Sequence, residues 1–183
     1  LRHGGTMITL PQHPEANQVL GEVALELKVR GVSAAPYMPI AGTVGRFDAE
    51  VLGERITIDS PLAGEHQRRN VALAIAAAVE LASNHGFSIT SSSIENGVKA
   101  TRWAGRLERI ERGGKTWILD VAHNPAGAWA LRSGLRTMVG DQKPATLIFS
   151  CLRDKPVAEM AQILFPLFDR VILAPIHTSR AAS

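Results

Sequence analysis

Apolar positions change their period several times along the first hundred residues of this chain. Thr6-Met7-Ile8-Thr9-Leu10 predicts a short strand, ended by Pro11 and Pro14. Over residues 17–30, Val19, Val23, Ala24 and Leu27 fall on one helical face. Pro36 and Pro39 break the chain beyond it. Residues 43–58 read as a hairpin: Phe47-Asp48-Ala49-Glu50-Val51 leads into Leu52-Gly53-Glu54-Arg55, and Ile56-Thr57-Ile58 returns. Residues 66–84 are rich in Ala and Leu, contain no Gly or Pro, and stop before Gly86. That predicts a helix, and its Ala-rich middle lets other backbone come close. Ser92-Ser93-Ile94-Glu95 has the form of a capping box and opens a shorter helix running to about Ala100.

Between residues 101 and 114 the pattern shifts. Ala104-Gly105 and Gly113-Gly114 flank a short strand-like piece at 106–110, which predicts a domain boundary and the division 1–104 and 105–183. A regular alternation follows: strand at 116–121, helix at 125–139, strand at 145–150, helix at 156–168, strand at 171–174. Strands and helices at this spacing predict βαβ units and a parallel sheet. Trp117-Ile118-Leu119, Leu147-Ile148-Phe149 and Val171-Ile172-Leu173 are unbroken apolar runs, the pattern of strands covered by helices on both faces. Three strands and two helices make a minimal sheet, so the second domain reads as truncated.

Composition narrows the class. The chain is 45% hydrophobic and 20% charged, as in a folded globular protein. A net charge of +3 without a Lys/Arg run gives no footprint for nucleic acid. No apolar run approaches the length of a membrane span. The single cysteine, Cys151, excludes an internal disulfide and suits a reducing compartment.

Three stretches carry candidate chemistry. Asp120-Val121-Ala122-His123-Asn124-Pro125 lies where a predicted strand turns into a helix, and ligands of open parallel sheets bind beyond the carboxyl ends of strands. Asn124 suits an N-cap and Pro125 a first helical position, so free N–H groups and the positive dipole end make a place for phosphate. Asp120 is placed to accept from ribose hydroxyls and His123 to face phosphate or substrate. The plain alternative is an ordinary strand end and helix start needed only for folding. Asp120 and His123 without a third ligand make a weak metal case. Arg106, in Trp103-Ala104-Gly105-Arg106-Leu107-Glu108, is suited to bidentate phosphate contact, or else pairs with Glu108 or Glu111 at the surface. In Gly64-Glu65-His66-Gln67-Arg68-Arg69-Asn70, His66, Gln67 and Asn70 share one helical side. An amide there can read an adenine edge; the alternative is a hydrated first turn.

Taken in order, these stretches resemble the folylpolyglutamate synthase/dihydrofolate synthase family of the Mur ligase superfamily. That family has a Gly-x-His-Gln-x-x-Asn helix, a Pro-Gly-Arg-Leu-Glu-like link and an Asp-Gly-Ala-His-Asn-Pro turn. Cys151-Leu152-Arg153-Asp154-Lys155-Pro156 is similar to its Lys-Asp-Lys-Asp turn, Leu10-Pro11-Gln12-His13-Pro14-Glu15-Ala16 to its Gln-x-x-Glu-Ala run, and Ser179-Arg180-Ala181 to its Pro-Arg-Ala. Ala104 stands in place of Pro, and Val121 in place of Gly.

The resemblance implies an α/β protein: the end of a Mur-ligase-type central ATP-binding domain, then the start of a Rossmann-like parallel carboxy-terminal domain. It implies ATP-dependent ligation of L-glutamate to a folate or pteroate carboxylate through an acyl phosphate, with Mg²⁺. Asn70 and His66 would lie at the nucleotide base, Arg106 at the ATP phosphates, Asp120 at the ribose, and His123 beside the phosphates or the incoming glutamate. It further implies a cytoplasmic enzyme, monomeric at full length, whose partners are ATP, glutamate and folate or dihydropteroate, not nucleic acid or membrane. No Gly-x-x-x-x-Gly-Lys-Ser/Thr occurs in the 183 residues. The phosphate loop and metal ligands are therefore expected upstream, and the chain alone without turnover. Two other readings stay open: a Mur-superfamily ligase acting on peptidoglycan precursors or a polymer, and a non-catalytic nucleotide-binding module.

Overall fold

Strands β1 (Thr6–Thr9) and β2 (Arg30–Ser33) pair in parallel, with helix α1 (Pro14–Glu26) as the crossover between them. The computed structural model describes residues 1–43, 45–139 and 145–180. Val44, at the start of the hairpin reading, and Ala181 of the tail lie outside the described residues.

The chain separates into two compact units: Leu1–Pro61 with His66–Arg102, and Leu62–Glu65 with the chain from Trp103 onward.

In the first unit, α1 begins at Pro14 and stops at Glu26, earlier at both ends than the apolar period suggests. Pro14 takes the first helical position, where its missing N–H costs nothing. At the other end the Val29 N–H reaches the Ala24 carbonyl at 2.8 Å and the Lys28 N–H reaches Leu25 at 3.2 Å. This is a Schellman stop with Lys28 at φ 49°, where glycine is usual. The chain is thereby free to enter β2.

Strands β3 (Phe47–Val51) and β4 (Glu54–Ile58) form the expected hairpin, turned by Leu52 and Gly53 at φ 52° and 80°. Helix α2 (Glu65–Asn84) packs Val71 and Ile75 with Ala49, Val51, Ile56 and Ile58 of the hairpin and Ile94 of α3 (Ser91–Ala100). Ala72 and Ala76 of α2 are fully buried with Leu10 and Ala34, so its small residues do admit close neighbours. The cap of α3 is Thr90, one residue before the helix and two before the expected Ser92. Its hydroxyl accepts from Ser93 N at 3.1 Å while Ser93 Oγ accepts from Thr90 N at 3.0 Å. Glu95 instead accepts from Thr57 N at 3.3 Å.

In the second unit, β5 (Glu108–Arg112) and β6 (Lys115–Leu119) form an antiparallel hairpin. Gly113 and Gly114, at φ 61° and 68°, are its two-residue turn. Strand β6 therefore takes β5 as its partner among the described residues, instead of opening a three-stranded parallel sheet. Helix α4 (Pro125–Val139) follows, then β7 (Thr146–Phe149), α5 (Val157–Leu164) and β8 (Arg170–Leu173). Strands β7 and β8 are parallel, the expected βαβ unit. Helix α5 gives way to a 3₁₀ turn at Phe165–Leu167, because Pro166 has no N–H to continue it.

Ala128 of α4, Phe149 of β7 and Met160, Ile163 and Leu164 of α5 make the second core. Phe149 meets Phe165 edge-on at 5.4 Å between centroids. The double cover expected for the strand runs is absent at several positions: Ile148 and its register partner Ile172 are 54% and 43% exposed, and Leu173, Trp117 and Leu119 are exposed as well.

Candidate functional site

Two groups of the expected residues are brought together, one in each unit. On the first turns of α2, Gln67 is buried beside half-buried His66 and exposed Asn70. Gln67 Nε2 lies 3.0 Å from His66 Nε2, and Asn70 Nδ2 donates to Gln67 Oε1 at 3.1 Å. This is a connected polar cluster rather than an unordered hydrated turn.

The second group surrounds the segment from Trp103 to Gly127. Gly105 and Leu107 both stand in the left-handed region, at φ 70° and 48°. Arg106 sits between them. A Cβ on Gly105 would lie 2.9 Å from Val121 Cγ1, so close approach as well as dihedral requires glycine there. The Val121 N–H donates to the Gly105 carbonyl at 3.0 Å. Asp120 closes the arrangement: Oδ2 accepts from Leu107 N at 3.0 Å and Oδ1 from Ala122 N at 2.8 Å. Leu107 is buried, and a Cβ added at Gly134 of α4 would collide with its Cδ1.

Asn124 caps α4 as expected, its Oδ1 accepting from Gly127 N at 2.7 Å. Pro125 has no N–H and Gly127 is taken by the cap, so the helix end offers the Ala126 N–H rather than a full turn of free donors. His123 is exposed with Nδ1 3.1 Å from the Val121 carbonyl. A carbonyl only accepts, so Nδ1–H is the donor in that contact.

Arg106 is half-buried, with its guanidinium carbon 5.9 Å from the Trp103 ring centroid. Neither acid expected to pair with it does so. Glu108 accepts from Gly105 N at 2.8 Å. Glu111 accepts from Thr116 at 2.8 Å and from Arg109 at 2.9 Å, and these bonds hold its carboxyl below the usual range.

The turn after β7 holds a further charge cluster. Asp154 accepts from Lys155 at 3.0 Å and Arg180 at 2.9 Å, and is held down to about 2 by Lys155 first and Arg180 second. Sequence reasoning noted Asp154, Lys155 and Arg180, but not the pairing of Arg180 with Asp154, which spans 26 residues. Among the described residues no three His, Cys, Asp or Glu side chains group to hold a metal ion, and no helix is long and apolar enough to cross a membrane.

Residues 105–183 match the family described as Mur ligase, glutamate ligase domain. The chain is 34% identical over 144 residues to a folylpolyglutamate synthase of Lacticaseibacillus casei, which covers 78% of this chain and 33% of that protein. It is 28% identical over its whole length to a dihydrofolate synthase/folylpolyglutamate synthase of Bacillus subtilis, covering 43% of it. A Mycobacterium tuberculosis folylpolyglutamate synthase, solved with ADP and AMPPCP, superposes with a TM-score of 0.80 at 30% identity, over 97% of this chain and 40% of that one. The chain thus spans less than half the length of these relatives. Residues 105–183 are thus similar to the Mur ligase, glutamate ligase domain, and the chain as a whole is similar to folylpolyglutamate and dihydrofolate synthases.

Proposed function

We propose that the protein carrying this chain uses ATP to join L-glutamate to the carboxylate of a folate or pteroate. ATP phosphorylates the carboxylate, and the amine of glutamate displaces phosphate from the acyl phosphate to leave an amide. Residues 1–104 belong to the nucleotide-binding central domain and residues 105–183 to the glutamate ligase domain.

The observation that carries this reading is Arg106. It is a guanidinium on a turn fixed at both neighbours, while the two nearby acids are committed elsewhere. A cation placed and, among the described residues, left without an acidic partner is what phosphoryl transfer needs, since that chemistry asks for positioning and charge stabilisation. Asn70, with His66 behind it, reads the adenine edge. Each Asp120 oxygen accepts one backbone N–H and keeps a lone pair for a ribose hydroxyl. His123 Nε2 takes the proton that the glutamate amine sheds on attack. Mg²⁺ accompanies ATP, held by groups other than the side chains described. The 183 residues alone, lacking a phosphate loop, are without turnover. The whole enzyme is cytoplasmic and monomeric.

The test is ADP release by the full-length protein with ATP and glutamate and each of three acceptors: tetrahydrofolate, dihydropteroate and a UDP-linked muropeptide. Release that depends on either pteridine is expected. Release with the muropeptide alone would move the protein to another branch, and ATP binding without release would make it a binding module.

A further inference from the structure

Gln67 is only 5% exposed, yet both ends of its amide are engaged. Its Nε2 donates to Nε2 of His66, and its Oε1 accepts from Nδ2 of Asn70. For His66 Nε2 to accept, the ring proton must sit on Nδ1. The three side chains therefore share one polarity. Turning Gln67 over by itself would set its oxygen against a bare ring nitrogen and its NH₂ against another NH₂. Buried away from water, neither clash has a substitute partner.

The consequence falls on Asn70. With one Nδ2 hydrogen held by Gln67, Asn70 presents its Oδ1 and its other Nδ2 hydrogen in a fixed order. An amino group at purine position 6 can donate to that Oδ1 while the neighbouring ring nitrogen accepts from Nδ2. A 6-oxo purine instead brings an oxygen up to Oδ1. An asparagine free to rotate would turn over and accommodate it; one bonded to Gln67 can do so only if Gln67 turns with it and the His66 proton moves to Nε2. We propose that Gln67 is a positioning residue that fixes the direction of the Asn70 amide and so sets the preference for a 6-amino over a 6-oxo purine nucleotide. This rests on the reading that Asn70 faces the base, and it adds the group that makes that contact selective.

The experiment compares kcat and KM for ATP and ITP in the full-length protein and its variants Gln67→Met, Gln67→Glu and Asn70→Ala. Gln67→Met keeps the volume but removes both hydrogen bonds. It narrows the ATP-to-ITP ratio of kcat/KM on the order of tenfold, mainly through KM, the loss of one well-oriented hydrogen bond. Gln67→Glu still accepts from Asn70 and lets His66 take its proton on Nε2, so it restores most of the ratio. Asn70→Ala raises KM for ATP. An unchanged ratio in Gln67→Met alongside a raised KM in Asn70→Ala would sink the role of Gln67 and leave the base reading standing. An unchanged KM in Asn70→Ala would sink both. Nitrogen-15 NMR of His66 in the wild-type protein tests the same point without turnover: Nδ1–H is expected, and a proton fixed on Nε2 overturns the proposal even where Gln67→Met does not fold.

Discussion

Leu107 donates its backbone N–H to Oδ2 of Asp120 across 3.0 Å, and does so from the left-handed region at φ 48°. A non-glycine residue held there stores about 1–2 kcal/mol of strain. The acceptor must hold the conformation, and a carboxylate is the stronger kind. Asp120 is therefore bound into the fold through both of its oxygens.

Replacing Asp120 with Ala leaves the Leu107 and Ala122 N–H groups without an acceptor. The expected loss is about 2 kcal/mol of ligand-free stability, from the cost of stranding donors away from water. Asp120→Asn fares little better, because its NH₂ must oppose one of the two N–H groups. Urea denaturation without nucleotide measures this. A carboxylate serving only ribose would leave that midpoint where it was.

Gly134→Ala should destabilise, although alanine is the better helix former by about 1 kcal/mol. The new methyl group would run into Cδ1 of Leu107, which is buried and must shift its side chain to admit it. Overpacking of this kind costs about 1–3 kcal/mol. Adding Leu107→Ala should recover part of the loss, so the double variant is less unstable than the sum of the singles. Strict additivity in a denaturation cycle would show that the two side chains do not meet.

Arg106→Ala should lower kcat/KM for ATP on the order of a hundredfold or more, the usual effect of removing one charge-stabilising group. Arg106→Lys should recover only part, having the charge without the planar fork. Steady-state kinetics on the full-length protein, with circular dichroism to check the fold, decides the point. A loss below about threefold would return Arg106 to the role of a surface cation.

Asp154 gives a pH test. Its carboxyl, held by Lys155 and Arg180, titrates at about 2 against an ordinary 3.8. A folded value below the unfolded one means that the contribution is complete above pH 4 and is lost as pH falls through about 2. Wild type and Asp154→Asn should therefore differ in urea midpoint by a small constant amount well above pH 4, and converge only as pH falls below about 2. A gap that stays open in acid would assign the effect to something other than ionisation.

Much of this was legible in the sequence because periodicity reports burial. The Ala-rich run of α2 and the β7–α5–β8 alternation are local patterns, and both elements form near their expected limits. Strand β2 escaped because Arg30-Gly31-Val32-Ser33 offers one apolar residue and is held by backbone pairing with β1. The end of α1 escaped because Lys28 performs the turn that glycine would have announced. Gly113-Gly114 was visible as a break, but a break does not say which strand pairs across it. Among the candidate residues, residue types pointed to Asn70 in the first unit and to Arg106 and Asp120 in the second. What they could not give was the division of labour: only distances show Asp120 accepting two backbone N–H groups and Glu108 turned from Arg106 to Gly105.

The outward pair Ile148 and Ile172 has a practical consequence at the bench. Side by side on β7 and β8, they offer a greasy ledge that a fluorescent reporter of hydrophobic surface can occupy while the protein is still native. A dye-based melt of this chain would start from a bright baseline, and a rise in signal would be a poor gauge of unfolding. Near-ultraviolet circular dichroism, which follows the fixed packing of aromatic side chains, would report the transition without that bias.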